Sequence, residues 1–237
     1  MADLQLLKSL TGAGAGSRRQ MAEAIKQGRV AVNGQVATDF RLPVEPKDRV
    51  TLDGRTVNLK PEKKLVYLIL NKPMDMLTTT RDELGRGTVM SLLPQKYRRL
   101  GLYPAGRLDK DSTGLLLLTN DGDLTYKLTH PKFEHEKEYL VRLDKRLEPP
   151  DADRLRHGIE LDDGRTRPAA IKASTEPLSY RVTVHEGKKR QLRRMFAALG
   201  YRVTTLQRIR IGSLLLGNLK EGELRELATS EVAKLSG

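Results

Sequence analysis

The sequence has no cysteine, no tryptophan, and three phenylalanines beside seven tyrosines. The missing cysteine excludes disulfides, thiolate metal sites and a thiol nucleophile, and it fits a reducing cytoplasm. Aromatic residues at 4% are too sparse for a broad base-stacking sheet, so sequence-blind binding of single strands is not expected. No apolar run approaches the roughly 18 residues that span a bilayer, so no membrane partner is expected. Residues 1–16 lack a basic start and an apolar block, so no signal peptide is expected either. Nucleophile-elbow, P-loop and dinucleotide fingerprints are absent. His130, His135, His157 and His185 show no i, i+4 pairing that would suit zinc. With no nucleotide cradle, redox centre or metal cluster in view, neither a cofactor nor a metal is expected.

What is present is basic charge. Of 237 residues, 43 are Lys or Arg and 30 are Asp or Glu, a formal net charge of +13. Hydrophobic residues at 38% suffice for a core, and the length suits one or two domains. A positive excess of this size points to a polyanion, most simply a nucleic acid. One boundary stands out. A polar, proline-bearing stretch, Asn58-Leu59-Lys60-Pro61-Glu62-Lys63-Lys64, precedes the strand-like run Leu65-Val66-Tyr67-Leu68-Ile69-Leu70. The expected organisation is a small module over 1–60, a linker over 61–64 and a larger module over 65–237.

The small module reads as helix, hairpin, hairpin. Ser17 and Gln20 form a capping box, Met21, Ala24 and Ile25 share one helix face, and Gly28 stops the helix. Asn33-Gly34 and Asp53-Gly54, each between short alternating runs, mark the two hairpins. Arg18, Arg19 and Lys26 lie on the exposed helix face, with Arg29 just beyond it. They are either an ordinary solvated face or a phosphate grip, and the overall charge favours the grip. This module resembles the small RNA-binding domain first known from ribosomal protein S-four. The matching residues are Gly16-Ser17-Arg18-Arg19, Ile25, Gly28-Arg29-Val30, Val32-Asn33-Gly34 and Asp48-Arg49-Val50.

In the larger module, strands are expected over 66–70, 115–118, 138–143, 170–173, 180–184 and 203–211. Helices are expected over 123–128, 152–156 and 191–199. The leucines at 115–118 imply a strand buried on both faces. Strands and helices do not alternate strictly, so the expected class is α+β with a mixed, mainly antiparallel sheet flanked by helices.

Three segments carry possible chemistry. The densest is Gly106-Arg107-Leu108-Asp109-Lys110-Asp111-Ser112-Thr113-Gly114. Its match to a calcium loop fails, because position twelve is Asn120 and leucines fill the interval. Asp109 and Asp111 remain open to two readings, a carboxylate pair doing chemistry or turn-forming residues that cap local amides. The second segment is Glu186-Gly187-Lys188-Lys189-Arg190-Gln191-Leu192-Arg193-Arg194-Met195-Phe196. From Gly187 to Lys220 there are nine basic residues and no acid, which predicts an external counter-charge such as a phosphate backbone. Leu192, Met195, Phe196 and Leu199 bury one helix face, and Arg193 borders it. The third is Glu136-Lys137-Glu138-Tyr139, where a lone strand tyrosine is ordinarily core.

The chain as a whole resembles the RsuA/RluB branch of the ribosomal RNA pseudouridine synthases. The likeness runs through Asn71-Lys72-Pro73, Gly85-Arg86, Leu92-Leu93-Pro94, Pro104-Ala105-Gly106-Arg107-Leu108-Asp109, His130-Pro131, Glu136-Lys137-Glu138-Tyr139, Gln191-Leu192-Arg193 and Arg210-Ile211-Gly212. Asp75 and Gly87 depart from the family pattern, which has Gly and Pro there. The resemblance implies isomerisation of a uridine in ribosomal RNA, with no cofactor. It implies that Asp109 is the essential aspartate, that Tyr139 packs on the target base, that Arg193 pairs with the aspartate and that Arg107 lies beside a flipped nucleotide. Lys188, Lys189, Arg190 and Arg194 join Arg18, Arg19, Lys26 and Arg29 as expected RNA contacts. The Arg190-Gln191 pair leans toward the large-subunit type, and so toward 23S over 16S RNA. A cytoplasmic monomer is the expected state. The rival readings are a non-catalytic RNA-binding protein and a nucleoside hydrolase.

Overall fold

Four consecutive leucines cannot alternate between core and solvent, so the strand that carries them must be covered on both sides. The computed structural model describes residues 4–45, 47–59 and 64–236. The chain divides into two compact units, residues 1–64 and 65–237. Within the expected linker, residues 61–63 lie outside the described residues.

The first unit contains β1 (Leu4–Gln5), α1 (Leu6–Gly12), α2 (Arg18–Lys26), β2 (Val30–Val32), β3 (Gln35–Val36), β4 (Pro43–Val44), β5 (Val50–Leu52) and β6 (Arg55–Val57). Its four-stranded sheet has the order β3-β2-β5-β6, and β1 pairs with β4. The capping box forms in both directions: Gln20 N donates to Ser17 Oγ at 3.3 Å, and Ser17 N donates to Gln20 Oε1 at 2.9 Å. Both hairpins form at their expected turns. Sequence reading missed α1, because Gln5 at its N-cap makes no side-chain cap and so gives no start signal. Leu6 and Leu10 of α1 are buried with Ile25, Val30 and Val50.

The second unit contains β7 (Tyr67–Lys72), β8 (Tyr103–Ala105), β9 (Thr113–Thr119), α3 (Gly122–Thr129), β10 (Lys137–Leu143), α4 (Pro149–His157), β11 (Ala170–Ala173), β12 (Ser179–Val184), α5 (Gln191–Ala197), β13 (Val203–Ile211), β14 (Leu214–Leu215), β15 (Leu224–Glu226) and α6 (Thr229–Ser236). The main path of the sheet is β11-β12-β10-β13-β9-β7-β15, with β14 on β13 and β8 on β9. β9 and β13 run parallel, and the other strand pairs are antiparallel. The class is therefore α+β, with a mixed sheet. The leucine strand sorts its side chains by parity, as the pleat requires. Leu116 and Leu118 join Leu68, Leu70, Val89, Leu93 and Leu108 on one face. Leu115 and Leu117 join Ile69, Leu124 and Leu128 on the other. A further core places Leu155 of α4 and Leu192, Met195 and Phe196 of α5 against Val141 and Val182.

Candidate active site

Asp109 stands in the loop between β8 and β9, and each neighbouring carbonyl of that loop is held by a donor from elsewhere in the second unit. Arg208 Nη1 donates to Arg107 O at 3.3 Å, and its Nε donates to Leu115 O at 2.8 Å. Thr78 Oγ1 donates to Leu108 O at 2.8 Å. Lys72 Nζ donates to Lys110 O at 3.3 Å, to Ser112 O at 2.8 Å and to Pro73 O at 2.8 Å. Arg193 Nη2 donates to Asp111 O at 2.7 Å. Ser112 N closes the turn onto Asp109 O at 3.1 Å. Buried carbonyls without donors would be costly, so this set fixes the loop in one shape.

Two of these donors are buried cations that sequence reasoning did not single out for chemistry. Lys72 is 0% exposed and Arg208 is 3% exposed. Burial pushes the Lys72 ammonium down to about 8, while Asp111, Asp75, Glu221 and Asp109 hold it up. The charge run had flagged Arg208 only as one basic residue among nine. Two signals point to Lys72: it lies in the Asn71-Lys72-Pro73 segment that carries the family likeness, and it ends an apolar strand, where a lysine needs an internal partner.

The neighbouring β9–β13 register depends on Gly114. It has φ +103, and a Cβ there would lie 2.3 Å from Arg208 O and 2.6 Å from Arg208 N. Asp75 occupies the left-handed region at φ 63, which explains why glycine suits that position and how an aspartate can still fill it. Its N–H donates to Lys110 O at 2.9 Å, so Asp75 also braces the Asp109 loop.

The expected Arg193–Asp109 pair does not form. Arg193 Nε lies 3.2 Å from Asp111 Oδ2, without hydrogen-bond alignment, and Arg193 Nη1 donates to Val203 O at 2.9 Å. Arg190 grips the same Asp111 with both terminal nitrogens, Nη1 donating to Oδ1 at 2.9 Å and Nη2 to Oδ2 at 2.7 Å. The tight turn from Asp109 to Ser112 aims the second carboxylate, not the first, at α5. Hydrogen bonding from Arg190, aided by the charge of Arg193, holds the Asp111 carboxyl below the usual carboxylate range. Asp111 is thus a clamp for two arginines and not half of a carboxylate pair. No hydrogen bond or ion pair reaches the Asp109 carboxylate among the described residues, though Lys72 and Arg190 lie within electrostatic reach of it. Asp109 instead faces a cleft of about 580 Å3 lined also by Thr78, Arg81, Arg86, Arg107 and Lys110.

Tyr139 lies on β10 opposite Arg208, at a register shift, and packs half-buried against two of the cores. Arg107 is exposed at the cleft. Several expected RNA contacts are instead occupied internally. Lys188 Nζ donates to the carbonyls of Asp163, Gly164 and Arg165. Arg194 pairs with both oxygens of Asp163, at 2.8 Å and 3.0 Å. Arg29 pairs with Asp53 across the hairpins of the first unit. Lys26 lies 6.0 Å over the Phe40 ring. Arg18, Arg19 and Lys189 are exposed, and no ion pair reaches them among the described residues. The predicted external counter-charge for 187–220 is therefore largely internal. Folding brings Asp111, Asp163, Glu136 and Glu138 to a segment that has no acid of its own.

Comparison with known proteins agrees with this architecture. The RNA pseudouridylate synthase family matches residues 66–198, and the S4 domain matches residues 6–50. A Bacillus subtilis (strain 168) protein named ribosomal large subunit pseudouridine synthase B is 39% identical over 237 residues, covering 98% of this chain and 95% of that one. An Aquifex aeolicus (strain VF5) RNA pseudouridine synthase, itself uncharacterized, is 38% identical over 240 residues, covering 99% of this chain and 94% of its own. A crystal structure of a pseudouridylate synthase superposes with a TM-score of 0.71 at 33% identity, covering 98% of this chain and 99% of that one. The extent of the family match, and the near-complete coverage by relatives of this identity, establish that the chain belongs to the RNA pseudouridylate synthases.

Proposed function

We propose that this chain converts a uridine of ribosomal RNA to pseudouridine, with large-subunit RNA favoured and Asp109 acting on the flipped nucleotide. The observation that carries the proposal is the Asp109 carboxylate itself. It lies on a loop whose carbonyls are pinned by Arg208, Thr78, Lys72 and Arg193, yet Asp109 itself lines the cleft and its carboxylate has no hydrogen-bond or ion-pair partner among the described residues. A carboxylate that only shaped the turn would bond to that turn. The resemblance of the Bacillus protein, named for the large ribosomal subunit, supports the choice of RNA.

The reaction breaks the bond between uracil N1 and ribose C1′, turns the base over and joins C5 to C1′. The proton released from C5 balances the one gained at N1, so no water is consumed. Asp109 serves as the nucleophile or base that holds the sugar or uracil between these steps. The uridine leaves its stack first, at a cost of a few kcal/mol unless it sits in a loop. Tyr139 covers the detached base and keeps water out, so uracil is recaptured and not lost. Arg107, at the cleft, binds the backbone of the flipped nucleotide. Lys72, Arg193 and Arg208 act at one remove, by fixing the loop. Among the described residues no helix is long and apolar enough to cross a membrane. A monomer working in the cytoplasm completes the proposal.

The test is Asp109→Asn, nearly isosteric and equally able to form turns. Tritium release from uracil-labelled ribosomal RNA should vanish, while RNA affinity stays within a few-fold because phosphate contacts lie elsewhere. Full activity of the Asn variant would sink the assignment. Free uracil as the wild-type product would replace the isomerase with a hydrolase.

A further inference from the structure

Few as the rings are, three of them meet on one exposed surface. Tyr126 of α3, His130 at the helix's C-terminal cap and Phe133 in the 3-10 turn Pro131–Phe133 form an edge-packed cluster. Ring centroids lie 4.8 Å apart for Tyr126 and His130, and 5.7 Å apart for Tyr126 and Phe133 at an interplanar angle of 89°. Tyr126 is 48% exposed and Phe133 38% exposed. The opposite face of α3 buries Leu124 and Leu128, so its core contact is made without the tyrosine. Lys132 Nζ stands 5.1 Å over the Tyr126 ring and 4.7 Å over the Phe133 ring. The patch adjoins the Asp109 cleft. A Cβ on Gly106, a cleft residue, would stand 3.4 Å from Cγ2 of Thr129, the last residue of α3.

We propose that Tyr126, His130 and Phe133 form a stacking site for one unpaired nucleotide flanking the uridine in the cleft, with Lys132 taking the adjoining phosphate. The proposal rests on the reading of the Asp109 cleft as the uridine site. Its chemistry follows from the pairing of rings with an exposed cation. In the free protein the ammonium covers the rings through a cation–π contact, which is weak at an exposed site. A nucleotide supplies both replacements at once, a flat base for the ring and a phosphate for the ammonium. Stacking tolerates any base, because each has a π-face. The site is one nucleotide wide, which reconciles it with a chain too poor in aromatics for a multi-base platform.

The probe is a dodecauridine single strand carrying one central 5-iodouridine, which photo-couples to stacked aromatic rings. With the wild-type full chain, the crosslinked peptide should fall within residues 122–135. The double variant Tyr126→Ala/Phe133→Ala should bind this strand roughly tenfold more weakly, within the range for a lost stacked base. Its slope of log affinity against log salt should not change, since no phosphate contact is removed. Lys132→Ala should lower that slope by about 0.7, and Tyr126→Phe should bind as wild type. Crosslinks elsewhere overturn the proposal, as does a well-folded double variant that binds within twofold of wild type. If the double variant is unstable, the wild-type crosslink decides alone. Pseudouridine formation on ribosomal RNA separates the two claims. A wild type that crosslinks here but forms no pseudouridine overturns the cleft reading and the flanking role with it. An active wild type whose double variant binds unchanged overturns the stacking site only.

Discussion

Two aspartates two residues apart do different work because their surroundings differ. Asp111 holds Arg190 and Arg193, whereas Asp109 meets the cleft. Arg193→Lys keeps the charge but cannot span Val203 O, Asp111 O and the Asp111 carboxylate together, as the guanidinium does. Single-turnover rates should fall at least about tenfold, or roughly 1.4 kcal/mol of barrier. Asp111→Asn should lower turnover with RNA affinity held within a few-fold, since it loosens Arg190 and removes the charge beside Arg193 without touching the cleft. The pH dependence has a definite sign. The folded Asp111 carboxyl titrates below its ordinary 3.8, so its stabilisation is present above that value and is lost as pH falls through the lowered one. Melting temperatures on acidification should therefore drop less steeply for Asp111→Asn than for wild type. Lys72 runs the other way. Its ammonium titrates near 8 in the fold and at 10.5 when unfolded, so between these values the unfolded chain binds more protons and the Lys72 contribution to stability rises with pH. Turnover should decline over the same window, because a neutral amine has only two donors for three carbonyls. Thermal melts and single-turnover rates from pH 7 to 10, beside Lys72→Met, check both trends. A rate that stays flat across that range would show that the ammonium is not needed.

At the scale of elements, the parallel contact between β9 and β13 joins the Asp109 loop to the strand that carries Arg208. Gly114 permits that approach. Gly114→Ala would place its Cβ 2.3 Å from Arg208 O in a backbone region that disfavours side chains. It should destabilise the second unit by about 3 kcal/mol or more, as strain and overpacking combine. Calorimetry would show this as a lowered melting temperature, and an unchanged one would mean that the strands part without penalty. Long periodic elements were legible beforehand. β11 and β13 span their expected ranges, and α5 starts at its expected residue. β8, β14 and β15 were not legible, because two- and three-residue strands carry no periodicity and exist only where a partner strand supplies hydrogen bonds.

Across the whole molecule, the net charge of +13 already subtracts every acid, so internal pairing leaves that excess intact and decides only where it lies. Between Gly187 and Lys220, Lys188, Arg190, Arg193, Arg194, Arg202 and Arg210 pair with carboxylates from other segments. The exposed pair Arg18 and Arg19 on α2 is a better candidate for phosphate contact. Arg18→Ala/Arg19→Ala should reduce the salt slope of RNA binding by about 0.7–0.9 per lost contact and leave the rate at saturating RNA unchanged. An unaltered slope in a filter-binding titration would remove these residues from the interface. The sequence by itself determined the two-module order, the capped helix and hairpins of the first unit, and the doubly buried leucine strand. Each is written in short-range patterns of hydrophobicity, caps and turns. It also determined the family, since the motifs around Asp109, Tyr139 and Arg193 recur in order along the chain. Tertiary structure decided the partners. Arg193 meets Asp111 and not Asp109, Lys72 lies beneath the Asp109 loop, and an all-basic segment meets carboxylates from elsewhere in the fold. These pairings join residues about 30 to 80 positions apart, and which carboxylate faces which arginine depends on the turn from Asp109 to Ser112 and on the β9–β13 register. Local sequence carries no record of such distances, because ion pairs form wherever the packed backbone brings opposite charges together.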